Sequence, residues 1–414
     1  MGTMDIKQPI QGVDPKAAAT WNPTDRVIII GGGAAGISCA YTLEFLKVPY
    51  ILLEADDIHG GRVKRNDTFL GNGTALDIGA EWIHTDPSIL KDLVLVPEDK
   101  DGMDDYIRDQ TIVYQPQTWG YLTIGRLWRM DFLKHTYQEH KWNNKSSWSQ
   151  FLDDYMVRHL DQKKVVYNAI VKEIDYSSPS SPLLDSDSDK TNTIKVTCQD
   201  GKEYVGTKVV CAVPLSILKD GDITFVPALP SSKQKALKKA DFKPGLKMAI
   251  EFKKKFFVDV ATDQHFLESV YNMVAGVGAE RYFFDALHNK GIDDRYVMGV
   301  YCYSTLAAEL SKLDDEDLFQ DIMKRLDRMY DGQATENYIQ HIVQNWTREP
   351  FIRGASSSYL THDLTEREFG QAPLDDKVFF AGEYAGGSVP IAVHSACLSG
   401  RRAAMTCVGQ EYKY

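Results

Sequence analysis

Three kinds of hydrophobic patterning run along the chain. Val27 to Ile30 is a continuous apolar run, as in a strand covered on both faces. Small and apolar residues from Ala34 to Leu46 then predict a packed helix, and "YILLEA" predicts a second strand ending near Glu54. A different pattern governs "KPGLKMAIEFKKKFF" (Lys243 to Phe257). There Leu246, Met248, Ile250 and Phe252 alternate with Lys247, Ala249, Glu251 and Lys253, the two-residue period of a half-buried strand. Helical periodicity marks Trp148 to Leu160, "LAAELSKL" and Asp315 to Tyr330. Strands with turns are predicted in "VVYNAIVKEIDY" and "TIKVTCQDGKEYVGTKVVCAVPLSIL", and a strand-rich sheet from Ile223 to Trp346. The Ser/Asp/Pro stretch "SSPSSPLLDSDSDKTN" reads as an exposed loop.

A chain of 414 residues can bury a sizeable core and divide in two. The net charge of −11 argues against general nucleic-acid binding and suits a cationic substrate. No run of about 18 apolar residues predicts a membrane span. The cysteines Cys39, Cys198, Cys211, Cys302, Cys397 and Cys407 are scattered without metal or redox spacing, so buried thiols are expected. The first residues lack an apolar secretory core, and a cytoplasmic protein is expected. Sequons at Asn66, Asn72, Asn144 and Asn345 keep a secreted form with a removed signal open.

The most specific motif is "RVIIIGGGAAGISCAYTLEFLKVPYILLEA" (Arg26 to Ala55). Gly31, Gly33 and Gly36 supply G-x-G-x-x-G at a strand-to-helix turn, with Ala35 in the same turn. The first glycine permits the turn, the second admits a pyrophosphate to the backbone, and the third lets helix pack on strand. Free N–H groups at the helix start bind phosphate. Glu54, at the end of the second strand, is placed to accept a ribose hydroxyl. The pattern predicts a dinucleotide site and does not by itself choose between NAD and FAD.

Later motifs make that choice. "GGRVKR" begins at Gly60, "LDIGAEWIH" runs from Leu76 to His84, "KVFFAGEYAGG" from Lys377, and "VHSACLSGRRAA" from Val393. With "VPLSILK", the strand bearing Lys247, and the W-x-x-x-P-F-x-x-G of Trp346 to Gly354, the chain resembles the flavin-dependent amine oxidases over most of its length and in the same order. "WIH" makes it most similar to the polyamine oxidases within that family. No Ser-His-Asp set, HExxH or zinc-spaced cluster competes for a catalytic role, and no metal is expected.

The resemblance implies an α/β protein: a Rossmann-like FAD-binding domain in a two-domain amine oxidase fold, with a shortened α+β substrate domain. The FAD-binding part would be discontinuous, 1–86, 158–221 and 367–414, and the substrate part 87–157 and 222–366. It implies FAD as cofactor, a small-molecule amine and O2 as partners, and no nucleic acid. By position, Glu54 would hold the adenosine ribose and Arg62 the pyrophosphate or flavin. Gly79, Ala80, Glu81 and Trp82 would lie along the isoalloxazine, with Trp346 beside the cofactor. Val171 would touch the adenine side, Gly382 and Glu383 the ribityl chain, and the backbone of Val393 the pyrimidine edge of the flavin. Lys247 matches a lysine that meets flavin N5 through a water, and His84 would face substrate.

The implied activity is oxidation of a polyamine or related amine by hydride transfer to flavin N5. The imine is then hydrolysed to an aldehyde and an amine, and O2 becomes H2O2. A flavin oxidase of amino acids or a specialised secondary amine, and a flavin-bound non-catalytic scaffold, are the alternatives. Two departures from the family bear on these. The helical insertion before "VKEIDY" is trimmed, and the two aromatic cage positions match Ser356 and Ala392, leaving Tyr359 or Tyr384 as candidate substitutes. Where monoamine oxidases carry a flavin-linking cysteine, this chain has Ala355, so the FAD is expected to be non-covalent. Neither the particular amine nor the oligomeric state is legible.

Overall fold

The structure is a computed structural model that describes residues 25–71, 74–101, 103, 111–113, 116–124, 128–134, 139–142, 146–177, 193–257, 273–275, 281–287, 290–387, 391–410 and 412. The arm before residue 25 and most of the Ser/Asp/Pro stretch lie outside the described residues.

The apolar runs assemble into a five-stranded parallel sheet in the order Val165–Val166, Tyr50–Leu53, Val27–Ile30, Lys208–Cys211 and Val378–Phe380. Ile29 lies between Leu52 and Val210, and all four residues of its strand are buried. Strands from four distant stretches thus share one sheet, as in a doubly wound fold whose faces are covered by crossovers. One face carries the helices Ala34–Phe45 and Val393–Cys407. These cross so closely that a Cβ on Gly400 would stand 2.0 Å from the carbonyl oxygen of Ala35. The Ser38 hydroxyl donates to the Cys397 carbonyl at 2.7 Å across that contact.

The helix at Trp148–Tyr155 packs into the same core through Trp148 and Phe151, and a single 3-10 turn, Val157–His159, continues it. Between Ile83 and Trp148 the described chain is built mainly from strands, the longest being the pair Pro116–Ile124 and Trp128–Lys134. Among its described residues the trimmed insertion is therefore largely β rather than helical.

A four-stranded sheet joins Glu203–Gly206, Ile194–Cys198, Val171–Asp175 and Thr224–Val226. The last of these was expected with the sheet reaching to Trp346; instead it pairs in parallel with Glu173 to Asp175. Phe225 explains the placement, since it buries its ring against Phe380 of the parallel sheet at 6.1 Å between centroids.

A second five-stranded sheet is antiparallel: Met273–Ala275, Arg281–Asp285, Tyr296–Tyr303, Gly245–Phe252 and Tyr338–Gln344. The alternating residues Leu246, Met248, Ile250 and Phe252 pack against Leu318, Ile322 and Leu326 of the helix Asp315–Met329. That helix starts at Asp314, whose side chain accepts from the Asp317 N–H at 2.8 Å. The opposite face is not open to water. Ala249, Phe284 and Val297 pack there against Phe69, Leu70 and Leu76, so every residue from Gly245 to Phe252 is buried.

Candidate active site

The turn after Val27–Ile30 is held by the Gly31 N–H, which donates to Leu53 O at 2.8 Å. Gly31 has φ +100, a conformation that disfavours any side chain, and a Cβ on Gly36 would fall 1.8 Å from the Gly31 carbonyl oxygen. The helix Ala34–Phe45 therefore begins hard against the strand end with no side-chain cap. Its first N–H groups therefore have no side-chain cap and could donate to a phosphate.

Beside this turn lies a cavity of about 330 Å³. Gly31, Gly33, Ala35, Glu54, Arg62, Ala80, Val171, Gly382, Glu383 and Val393 all line it, although they come from six separate stretches of sequence. One end is walled by Val171, Gln199, Asp222 and Arg353. Arg353, at φ 57, is clamped to Asp220 at 2.7 Å and Asp222 at 3.0 Å, a pairing that holds the Asp222 carboxyl below its ordinary range. None of the last three residues was foreseen: Gln199 and Asp222 sit in stretches without a motif, and Arg353 is an unspecified position within the motif from Trp346 to Gly354.

Glu54 is buried, and burial raises its carboxyl above the usual range although backbone donors oppose the shift. It accepts from the Asp56 N–H at 2.8 Å and from the Gly32 N–H. An ionised carboxylate keeps further lone pairs for ribose hydroxyls. Arg62 and Glu383, read separately from the sequence, form one unit: Arg62 Nη1 lies 3.0 Å from Glu383 Oε1 and donates to Ala355 O at 2.8 Å. Glu383 also accepts from the Ser357 N–H at 3.0 Å and from its hydroxyl. Phe242 supports the guanidinium, 5.2 Å from its ring centroid.

At the other end, the turn from Asp77 to Trp82 docks on the "GGRVK" segment. Gly79 N–H donates to Lys64 O at 2.9 Å and Ala80 N–H to Arg62 O at 3.0 Å. Trp346 braces this turn from behind, its indole donating to Ile78 O at 3.2 Å, and it is not among the lining residues. Trp82 presents its ring edge to Phe284 at 6.0 Å and lies 6.4 Å from His84, which is exposed.

Lys247 reaches the same turn. Its Nζ donates to Asp77 O at 2.8 Å, Gly79 O at 3.2 Å and Glu81 Oε2 at 2.6 Å, and stands 5.7 Å from the Phe284 ring centroid. The lysine is 8% exposed, which rules out a solvated strand charge. Glu81 and two carbonyls satisfy all three of its donors.

Neither candidate substitute for the missing cage reaches the cavity. Tyr384 is fully buried against Phe369, and Tyr359 is 68% exposed. Ser356 and Ala392 do line it. His394, which the sequence leaves as a structural residue, is 1% exposed beside Val393, and neither ring nitrogen has a hydrogen-bond partner. Burial, with a smaller contribution from His84, lowers its pKa to about 3. A buried imidazole with both nitrogens unpartnered, next to a lining residue, fits a polar group bound in the cavity.

The donor set fits a dinucleotide flavin: a glycine turn with uncapped helix N–H groups, an acid at the second strand end, an Arg–Glu pair midway, and an apolar helix start. The comparisons agree with this. Residues 145–408 match the model for flavin containing amine oxidoreductase, and 29–94 match that for an NAD(P)-binding Rossmann-like domain. The chain belongs to the flavin-containing amine oxidoreductase family. Polyamine oxidase 2 of Arabidopsis thaliana is 26% identical over 92% of this chain and 87% of that protein. Lysine-specific histone demethylase 2 of Homo sapiens is 24% identical over 91% of this chain but only 53% of that protein. A solved putrescine oxidase variant, from a redesign of cofactor binding, superposes with TM-score 0.65 at 16% identity over 93% of this chain and 99% of that one. This family member is a flavoprotein oxidoreductase with FAD as its cofactor. Among its described residues no helix is long and apolar enough to cross a membrane.

Proposed function

We propose that the protein oxidises a polyamine or a related small amine at a non-covalently bound FAD. The observation that carries this reading is the buried Lys247, whose Nζ donates to Gly79 O and Glu81 Oε2 on either side of Ala80, a residue of the cavity wall. Gly31, Gly33 and the helix start would hold the pyrophosphate, Glu54 the ribose, Arg62 and Glu383 the middle of the cofactor, and Ala80 and Val393 the ring. No cysteine lines the cavity, and Ala355 offers only a methyl group where a thioether would form.

When bound, the flavin supplies the two-electron acceptor for the amine carbon–nitrogen bond, and O2 takes those electrons on to H2O2. The chain's own contribution is placement. Lys247, locked by three acceptors, fixes the turn from Asp77 to Glu81 at a set position. Trp82 and Phe284 exclude bulk water beside it, and water that does enter hydrolyses the imine product to a carbonyl compound and an amine.

Anaerobic mixing of the FAD-loaded protein with spermine, spermidine, monoamines and amino acids tests this. Bleaching of the flavin band by a polyamine, with peroxide formed on readmitting air, is the expected result. Bleaching by amino acids alone would replace the substrate, and no bleaching by any of them would leave a flavin-bound scaffold.

A further inference from the structure

Resting on the amine-oxidation reading, we propose that Tyr301 and Tyr303 form an aromatic wall that recognises the substrate as a cation, beside a cavity wall that has only Ser356 and Ala392 at the two cage positions. The strand Tyr296–Tyr303 pairs with Gly245–Phe252 so that Tyr301 lies opposite Lys247, Tyr303 opposite Gly245 and Gly299 opposite Ala249. With a two-residue period these side chains share one face of the sheet.

That face is shaped for rings. A Cβ on Gly299 would meet the Phe284 ring at 2.2 Å, so the glycine makes room for that ring to lie across the sheet beside Lys247. Tyr301 and Tyr303 follow, their centroids 6.0 Å apart and their planes inclined by 33°. The Tyr303 hydroxyl is 3.1 Å from Ser356 Oγ, and Ser356 lines the cavity. Four rings, Tyr303, Tyr301, Phe284 and Trp82, therefore extend from the cavity wall to the neighbourhood of the exposed His84. Tyr301, Tyr303 and Trp82 are only half-buried.

The charges beside this row are already matched. Arg62 is paired with Glu383, and Lys247 with Glu81. A substrate carboxylate entering along the row would meet ring faces, with both of those cations engaged. An ammonium group finds favourable ring quadrupoles there, worth about 0.5–2 kcal/mol. The wall thus selects cationic amines over zwitterionic amino acids.

The test uses FAD-loaded protein and hexyltrimethylammonium, a cation without the N–H or lone pair that oxidation to an imine needs. Its binding is read from the perturbation of the flavin absorption band. Wild type is expected to bind it, and Tyr303→Leu and Tyr301→Leu each to weaken binding about 3- to 30-fold with FAD content unchanged. Tyr303→Phe, which keeps the ring and loses the contact with Ser356, restores most of the affinity. Equal binding by wild type and both leucine variants overturns the wall, even if spermine still bleaches the flavin. Tyrosine-dependent cation binding with no amine able to bleach the flavin upholds the wall and removes the oxidation reading instead.

Discussion

Val27–Ile30 and Gly245–Phe252 are both central strands, and both are buried throughout. The first contains no polar side chain, because crossover helices and a neighbouring β-layer seal both its faces with apolar groups. The second carries Lys247 and Glu251 on a face that a covering segment, Phe69 to Glu81, closes off from water. Each charge there has a built partner: Lys247 meets Glu81, and Glu251 meets Arg295 at 2.6 Å together with Gln340 at 2.6 Å. An alternating pattern identifies a strand; it does not say that the polar face is wet. Of these two buried pairs, only the one at Ala80 stands beside the cavity.

The comparison breaks most completely at the parallel sheet. Gly36→Val puts a β-branched side chain into the Gly31 carbonyl, and backbone cannot yield as a side-chain tip can. The variant is expected to carry no FAD, read as loss of the flavin absorption band in the purified protein. A yellow Gly36→Val protein would show that the helix start is not pressed against the turn.

On the antiparallel sheet, Lys247→Met takes from Glu81 the ammonium it meets at 2.6 Å. Stability should fall by about 3 kcal/mol in urea unfolding, and flavin reduction by spermine should slow at least about 100-fold. Adding Glu81→Gln removes the stranded charge, so stability returns while reduction stays slow. Reduction of Lys247→Met at the wild-type rate would reduce the lysine to a structural cation.

Glu251→Gln probes the other pair. It leaves Arg295 without its carboxylate and should cost about 3 kcal/mol, with the reduction rate unchanged because Glu251 is not among the residues that line the cavity. Burial raises the Glu251 carboxyl, yet hydrogen bonds from Arg295 and Gln340 outweigh that and hold it below 4.5. Its contribution is therefore complete above the ordinary carboxylate range and is lost as pH falls through the depressed value. Unfolding measured at pH 7 and at pH 4 should show the wild type losing more of its advantage over the variant at the lower pH.

Legibility from the sequence divides along the same line. The dinucleotide turn could be read because Gly31, Gly36 and Glu54 serve backbone geometry and a phosphate whose demands are local in sequence. Arg62 and Glu383 could be placed in the cavity but not paired, since their contact joins residues 321 positions apart. Tyr301 and Tyr303 carried no signal. They look like ordinary strand aromatics until the register sets them opposite Lys247 and Gly245. Asn345, a sequon by pattern, is buried and accepts from the Ser311 hydroxyl at 3.0 Å, so the folded chain hides it from a glycan.

His394 gives the smallest effect and tests the cavity from the helix side. Its imidazole, lowered from 6.5 to about 3 mainly by burial, stays neutral in the folded protein while the unfolded chain takes up a proton near its ordinary pKa. Between those values the unfolded state binds more protons, so stability rises with pH: the contribution is intact above 6.5 and erodes as pH falls toward 3. The steepest slope from one such group is about 1.4 kcal/mol per pH unit. His394→Leu should remove that part of the slope when urea unfolding of the FAD-loaded protein is compared at pH 7, 6 and 5. If bound FAD supplies the partner that its two nitrogens lack, the same variant also holds FAD more weakly, by roughly the 5- to 10-fold expected of one hydrogen bond. A variant with the wild-type slope and the wild-type FAD affinity would place His394 outside the site and leave its buried nitrogens without a function.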